Sequence, residues 1–385
     1  MSDNSEYFGD AIERLEWDER KEDETPSKRW RQFTRRTALS GGAAGVAAMI
    51  LEACGGSSKS SSSASAAGGS GASGIFGVGG GYKFTFINHV TTNPFFTPTQ
   101  SGAADACKLL GCSYQWTGSQ NSNIGEMVSD LNSAVSAGVN GIAVSLVSNT
   151  AFNSPVQKAL SAGIPTIAYN ADAVDPKTNT VLNPRLAYIG QDLFLSGQRM
   201  GEHIAQLVPS GDIALFIATP GALNIQPRID GALDTLKSHP SIKPHVVATG
   251  AGLPQELSTI DAYIPAHPSF KGFFAVDGGS TQYVGQVIQK HSLVGKVKAG
   301  GYDLTPVTQQ TLASGALQFT IDQQPYLQGF YPVLELYLYT ASQKLSGIAD
   351  VNTGLKFLDK TSVAPYNSTK SRYEGTGTSP GVSKA

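Results

Sequence analysis

Phe84-Thr85-Phe86-Ile87-Asn88-His89, followed after a short loop by Asn93-Pro94-Phe95-Phe96, is the stretch from which the rest of this 385-residue chain can be read. Its first half carries aromatic and β-branched residues and neither glycine nor proline, the composition of a buried strand. In an open α/β sheet, ligands bind just beyond the carboxyl ends of the strands. His89, Asn93, Phe95 and Phe96 are therefore expected at the mouth of a cleft. Pro94 fixes one backbone torsion and biases Asn93 toward an extended conformation. Phe95 and Phe96 then present flat apolar faces beside an amide, which suits the C–H faces and hydroxyls of a carbohydrate ring. The competing reading is a helix start whose phenylalanines enter the core.

Outward from this stretch the chain alternates strand and helix. Strands are expected at Lys83–Asn88, Ser113–Trp116, Gly141–Leu146, Thr166–Asn170 and Ala187–Ile189, with helices Thr97–Leu110, Asn123–Ala137 and Asn149–Ala162 between them. Each crossover is long enough for a right-handed βαβ unit, so the sheet should be parallel. The pattern then restarts: helix Phe194–Leu207, strand Ile213–Ile217, helix Pro227–Ser238, strand Val246–Thr249, helix Pro254–Ala266, strand Gly272–Val276, helix Gly279–His291 and strand Val297–Gly300. The fold class is α/β, with two doubly wound parallel-sheet lobes whose carboxyl-terminal loops face each other across a cleft.

Polar residues collect at those strand ends. Thr166–Tyr169 runs into Asn170-Ala171-Asp172, Phe273–Val276 into Asp277-Gly278-Gly279, Val297–Tyr302 into Asp303, and Leu317–Ile321 into Asp322-Gln323-Gln324. A carboxylate or amide there can form paired hydrogen bonds with vicinal hydroxyls. One such residue is more often a helix N-cap, and Asp277 before Gly278-Gly279-Ser280 fits that role too; their recurrence at comparable places favours ligand contact. The turn Gly221–Arg228 precedes a helix with Pro227 in its first turn. It offers Asn224, Gln226 or Arg228 to the cleft, and Arg228 can equally pair with Asp230 on the surface.

The formal net charge is −2 and no basic stripe is present, which argues against nucleic acid. No stretch reaches the length of a membrane span. Residues 1–54 read as an export signal. An acidic opening turns basic over Lys28–Arg36, where Arg35-Arg36 marks the twin-arginine type, and an apolar segment follows, closing on Leu51-Glu52-Ala53-Cys54. Those last residues resemble a bacterial lipobox with Cys54 as the lipidated residue, although Glu52 departs from the pattern. Residues 55–81, almost wholly serine, glycine and alanine, read as a flexible tether spanning roughly 30 Å. Cys107 and Cys112 are either a small-loop disulfide or two free thiols. No metal or cofactor site is expected, and residues 367–385 read as a disordered tail.

From Lys83 to about Pro365 the chain resembles the periplasmic sugar-binding proteins of the ribose-binding type, the type I solute receptors of ABC transporters. The resemblance rests on Asn93-Pro94-Phe95-Phe96, Gly163-Ile164-Pro165, Gly301-Tyr302-Asp303 and Asp322-Gln323-Gln324-Pro325-Tyr326 with Gln328-Gly329. It implies an N-terminal lobe of residues 82–190 and 324–352, a C-terminal lobe of 191–323 and 353–366, and a three-segment hinge. It also implies a monosaccharide or sugar alcohol held by Asn93, Phe95, Phe96 and Asn170 from the first lobe, and by Asp277, Asp303 and Gln323 from the second lobe and hinge. Ribose binders carry an aspartate followed by an arginine where this chain has Asn170-Ala171, and an arginine where Gln226 falls. Both guanidinium groups are expected to be missing, so ribose is not carried over as the ligand. Trp116–Gln120 and Ala143–Ser148 resemble the rhamnose and autoinducer-2 receptor branch, which places His89 within reach of the ligand and Asp172 beside Asn170. The function implied is an exported capture protein, lipid-anchored to the outer face of the cell membrane or periplasmic, serving an ABC permease. The alternatives are a sensory receptor for a sugar-like signal and, less favoured, a glycosidase using paired carboxylates. No catalytic elbow, metal-spaced histidines or phosphate loop supports an enzyme.

Overall fold

The computed structural model describes residues 81–175 and 180–369. The expected export signal with Cys54, nearly all of the tether and residues 370–385 lie outside the described residues. Among the described residues, twelve strands form two six-stranded sheets. The first sheet contains β1 (Lys83–Asn88), β2 (Ser113–Gly118), β3 (Gly141–Val144), β4 (Thr166–Tyr169), β5 (Tyr188–Gly190) and, returning late in the chain, β11 (Val351–Asn352). The second contains β6 (Gly211–Ile217), β7 (Ile242–Ala248), β8 (Gly272–Ala275), β9 (Lys298–Tyr302), β10 (Phe319–Asp322) and β12 (Lys356–Leu358). Helices α1 (Thr97–Leu110), α2 (Ile124–Ser136), α3 (Asn153–Ser161), α4 (Leu193–Leu207), α5 (Gln226–Leu236), α6 (Leu253–Ala266), α7 (Gly278–Lys290), α8 (Pro306–Ala313) and α9 (Leu327–Ala341) cover the faces. A short helix, α10 (Ala364–Thr369), follows. The chain is thus still regular where a disordered tail was expected to begin at Asn367.

The first sheet runs β11-β5-β4-β3-β1-β2 and the second β12-β10-β9-β8-β6-β7. All pairings are parallel except the edge pair β10–β12, which is antiparallel. Buried strands with helices on both faces need apolar side chains in both directions, and β1, β3, β4 and β8 are accordingly near-continuous apolar runs. Each sheet therefore has a core on each face. Phe84, Phe86 and Ile167 pack toward α1 and α9, and Ile87, Ile142 and Val144 toward α2 and α3. The second lobe repeats this arrangement with Ile213, Leu215 and Phe274 on one face and Ala214, Phe216 and Phe273 on the other.

The strand orders reverse direction between β1 and β3 and again between β6 and β8, the switch points where open α/β sheets leave a crevice. Three segments cross between lobes: Gly190–Leu193, Asp322–Leu327 and Asn352–Lys356. They are tied to one another. Gln191 Nε2 donates to the Gly354 carbonyl (3.1 Å), Thr353 Oγ1 donates to the Gln323 carbonyl (2.8 Å), and Gln324 Nε2 donates to the Thr353 carbonyl. Cys107 and Cys112 are free thiols, the first buried at the end of α1 and the second half-buried beyond Gly111. Gly111 sits at φ 69°, in the left-handed region that favours glycine, and closes the helix.

Candidate functional site

At the carboxyl end of β1, His89 is buried and its Nδ1 lies 3.0 Å from Ser145 Oγ, just beyond β3. Its Nε2 lies 3.1 Å from Asn224 Nδ2, which belongs to the second lobe. An amide NH₂ only donates, so Nε2 accepts and Nδ1 carries the ring proton, which it gives to Ser145. Burial pushes the imidazole pKa down to about 4, so the ring is neutral. His89 meets Phe96 edge-on, with ring centroids 5.4 Å apart at 90°.

Asn93 caps the single helical turn Pro94–Phe96, its Oδ1 accepting from the Phe95 N–H at 3.0 Å. Phe95 and Phe96 stand edge to face, 4.7 Å apart at 79°. Phe96 is 2% exposed and packs on Trp116, whereas Phe95 is half-buried. The core and cleft readings of this pair each describe part of it: Phe96 is a core residue with one edge in the cavity, and Phe95 is a wall. Asn170 adopts φ 63° at the end of β4 and donates from Nδ2 to Gln328 Oε1 (3.0 Å).

The second lobe brings charge. Arg228 is 2% exposed; Nη1 donates to the Val276 carbonyl (2.8 Å) and Nη2 to Gln191 Oε1 (3.1 Å). The guanidinium lies over the Tyr302 ring, 4.1 Å from its centroid. Its Nε is buried with no partner among the described residues. Asp277 caps α7: its Oδ1 accepts from Ser280 N (2.8 Å), and its Oδ2 accepts from Ala218 N (3.1 Å). Asp303, at φ 72° beyond β9, accepts from Gln323 Nε2 at 2.7 Å. Burial pushes its pKa up to about 6, against the opposing pull of Arg228 and Gln323. Gln323 Oε1 in turn accepts from Gln328 Nε2 (3.1 Å), which joins the second-lobe carboxylate to Asn170 through the hinge.

These side chains enclose a cavity of about 600 Å³, part of it open to solvent. Its lining includes His89, Asn93, Phe95, Phe96, Asn170, Asn224, Arg228, Asp277, Asp303 and Gln323. Two residues expected there lie elsewhere. Asp172 is bound by Arg185 through both oxygens, with Nε–Oδ1 at 3.0 Å and Nη2–Oδ2 at 2.5 Å, so its carboxylate is consumed in a buried ion pair. Gln226 caps its own turn, accepting from Gly221 N (2.8 Å) and donating to Asp230 (2.8 Å). The guanidinium expected to be missing is present after all, carried by Arg228, and the surface pairing of Arg228 with Asp230 does not form.

Sequence reasoning missed Glu256, Ser122, Thr219 and the backbone of Gly278 and Gly279, all of which line the cavity. Gly278 and Gly279 carry the one signal that was available. A Cβ on Gly278 would stand 2.9 Å from Asp303 Oδ2, and one on Gly279 2.5 Å from the Glu256 oxygens. Two consecutive glycines at a helix start therefore mark carboxyl groups resting on bare backbone.

Residues 84–344 match the family profile described as a periplasmic binding protein domain. The xylose/arabinose-binding protein XylF of Sulfolobus acidocaldarius is 53% identical over 306 residues, covering 77% of this chain and 75% of that protein. An ABC transporter solute-binding protein of Burkholderia graminis, solved in complex with D-arabinose, superposes with a TM-score of 0.68 at 27% identity, covering 74% of this chain and 97% of the other. GanP, a glucose-galactose binding protein of Geobacillus stearothermophilus, shares the fold with a TM-score of 0.66 at 22% identity, over 74% of this chain and 99% of its own.

Proposed function

This chain belongs to the periplasmic binding protein family, and from that premise we propose that it captures an aldopentose, xylose or arabinose, between its two lobes. It does no chemistry on the sugar. The observation that carries the reading is the cavity wall, where Phe95 and Phe96 face the hydrogen-bonding groups of Asn93, Arg228 and Asp303. The pentose assignment draws on the 53% identical relative, whose name gives xylose and arabinose as its ligands. A pyranose has two faces of C–H bonds and a rim of hydroxyls. The rings take the faces, while the neutral amides, the guanidinium and the carboxylates take the rim. The bound sugar favours lobe closure through contacts it makes to both walls only when they meet.

The remaining parts of the reading concern delivery. The protein presents the sugar to an ABC permease, is exported through the signal around Arg35-Arg36, and is held to the membrane by lipid on Cys54. The competing assignment is the rhamnose and autoinducer-2 branch that Trp116–Gln120 resembles. Trp116 itself is half-buried and packs against Phe86, Phe96 and Tyr169. Calorimetry with D-xylose, L- and D-arabinose, D-ribose, L-rhamnose and autoinducer-2 tests the proposal. Xylose or arabinose should bind at micromolar Kd, about −8 kcal/mol, with ribose, rhamnose and autoinducer-2 at least tenfold weaker. Heat from rhamnose or autoinducer-2 and none from xylose or arabinose would reverse the assignment.

A further inference from the structure

Glu256 is the buried carboxyl of the cleft that no strand end and no family motif assigns. It stands in the first turn of α6, is 3% exposed and lines the cavity. Its Oε2 accepts from Ser280 Oγ at 2.8 Å, and Ser280 Oγ lies 3.0 Å from Thr249 Oγ1. Its other acidic neighbour is Asp277, within side-chain hydrogen-bonding reach. Both Asp277 oxygens already accept backbone N–H groups, from Ser280 and Ala218. Glu256 is thus a buried carboxyl set against the half-buried Asp277, and ionising it would place like charges side by side in the cavity wall. Burial first, then the charge of Asp277, pushes the Glu256 pKa up to about 9, so it keeps its proton. Gly279 makes the arrangement fit, because any Cβ at that position would collide with the Glu256 oxygens.

We propose that Glu256, a buried carboxyl on the cavity wall beside Asp277, contacts the ligand and restricts the cleft to uncharged sugars, rejecting the corresponding sugar acids. The inference rests on the sugar-capture reading and names the ligand class more closely. The groups facing Glu256 are Asp277, Ser280 and Tyr283 from α7 and Thr249 from the end of β7. Asp303 and the Arg228 guanidinium stand further along the same cavity wall. The wall thus sets the carboxylates Asp277 and Asp303 against a single cation. Each terminal nitrogen of that cation already donates once, to Val276 and to Gln191, and its Nε is buried. An aldonate or uronate would bring a third negative charge to a wall that holds one cation. A hydroxyl, which both donates and accepts, suits every group present.

The test is calorimetry on the wild type and Glu256→Gln with L-arabinose, D-xylose, L-arabinonate and D-xylonate, followed by a pH series on the bound pentose. The acids should bind at least 100-fold more weakly than their parent sugars. Wild-type affinity should fall roughly tenfold per pH unit above about pH 9, and E256Q, which cannot ionise, should show no such fall. An acid binding within tenfold of its parent, or an alkaline loss that persists in E256Q, would overturn the proposal. The ligand-free proteins give an independent reading. A carboxyl whose folded pKa lies above its unfolded value contributes stability that is complete below about pH 4.5 and is lost as pH rises through about 9. The wild-type Tm should therefore fall relative to that of E256Q across this window, and a constant gap would refute an uncharged Glu256. If no sugar binds the wild type yet the Tm gap moves as described, the capture reading fails, and with it the ligand role of Glu256, while its protonated state stands.

Discussion

The two walls of the cleft are built on one plan and carry opposite chemistry. In the first lobe, the loop after β1 is bonded to the loop after β3 through His89 and Ser145. In the second, the loop after β6 is bonded to the loop after β8 through the Ala218 N–H and Asp277. Both bonds bridge the point where the strand order reverses. Yet the first wall is neutral and aromatic, with Phe95, Phe96, Asn93, Asn170 and an uncharged imidazole, whereas the second carries Arg228, Asp277 and Asp303. The shared topology fixes where side chains converge; it leaves open what they do there. One wall supplies shape and the other supplies charge-assisted hydrogen bonds. In the proposed reading a sugar engages both, and the division of labour makes closure, rather than either lobe alone, the binding event.

The comparison is broken most severely by removing the single cation from the charged wall. Arg228→Ala leaves the Val276 carbonyl unpaired, cuts the tie to Gln191 at the hinge, and strips Asp303 of its counter-charge. Losing one partner of a buried charge cluster costs about 3 kcal/mol or more, so the pentose Kd should rise by at least 100-fold and the Tm should drop. R228K should not rescue it, because an ammonium cannot span Val276 and Gln191 while lying over Tyr302. If R228A binds within tenfold of wild type, the second lobe does not anchor the ligand.

The aromatic wall should respond more mildly and should divide between its two rings. Phe95→Ala removes a half-buried face and is expected to weaken binding roughly tenfold, about 1–1.5 kcal/mol, with little change in Tm. Phe96→Ala empties part of the first-lobe core and should cost about 3 kcal/mol of stability. Matching losses of affinity and stability in both variants would deny Phe95 its separate role, and calorimetry beside thermal melts distinguishes the cases.

That division between Phe95 and Phe96 also marks how far the sequence could be read. The strand–helix alternation was plain because doubly wound sheets bury strands on both faces, leaving apolar runs such as Phe84–Ile87 and Phe273–Val276. Asn170, Asp277 and Asp303 were readable as the first polar residues after such runs. Asp172 was misread because its direction depends on Arg185, thirteen positions away, and no local pattern announces an ion pair across a loop. Gln226 and Arg228 stand at the start of one helix, where residues two apart point to opposite sides, so only one could face the cavity. Local pattern did not say which one. Glu256 was hidden for another reason: an acid in a first helical turn already has an ordinary use, complementing the helix dipole. Only the tertiary position of Gly279 reveals that it rests against the cleft.

The smallest expected effect lies where the two walls touch. Leu223 packs on the first-lobe core and Asn224 donates to His89 Nε2, so one short loop of the charged lobe latches onto the neutral one. Removing that bond with Asn224→Ala should cost about 1 kcal/mol, a several-fold rise in pentose Kd near pH 7. The latch also carries a pH signature. A base whose pKa is lowered on folding contributes stability that is complete above pH 6.5 and is lost as pH falls through about 4. Protonation there turns Nε2 from acceptor to donor, facing another donor, and the lobes lose their bond. Wild-type affinity should therefore decline on acidification toward pH 4 more steeply than that of N224A, which has no latch to lose. Asp303 titrates in both proteins, so the difference between their profiles isolates the latch. Parallel profiles from pH 7 to pH 4 would mean that His89 only supports Ser145 and Phe96 within its own lobe, and that closure is held by the sugar alone.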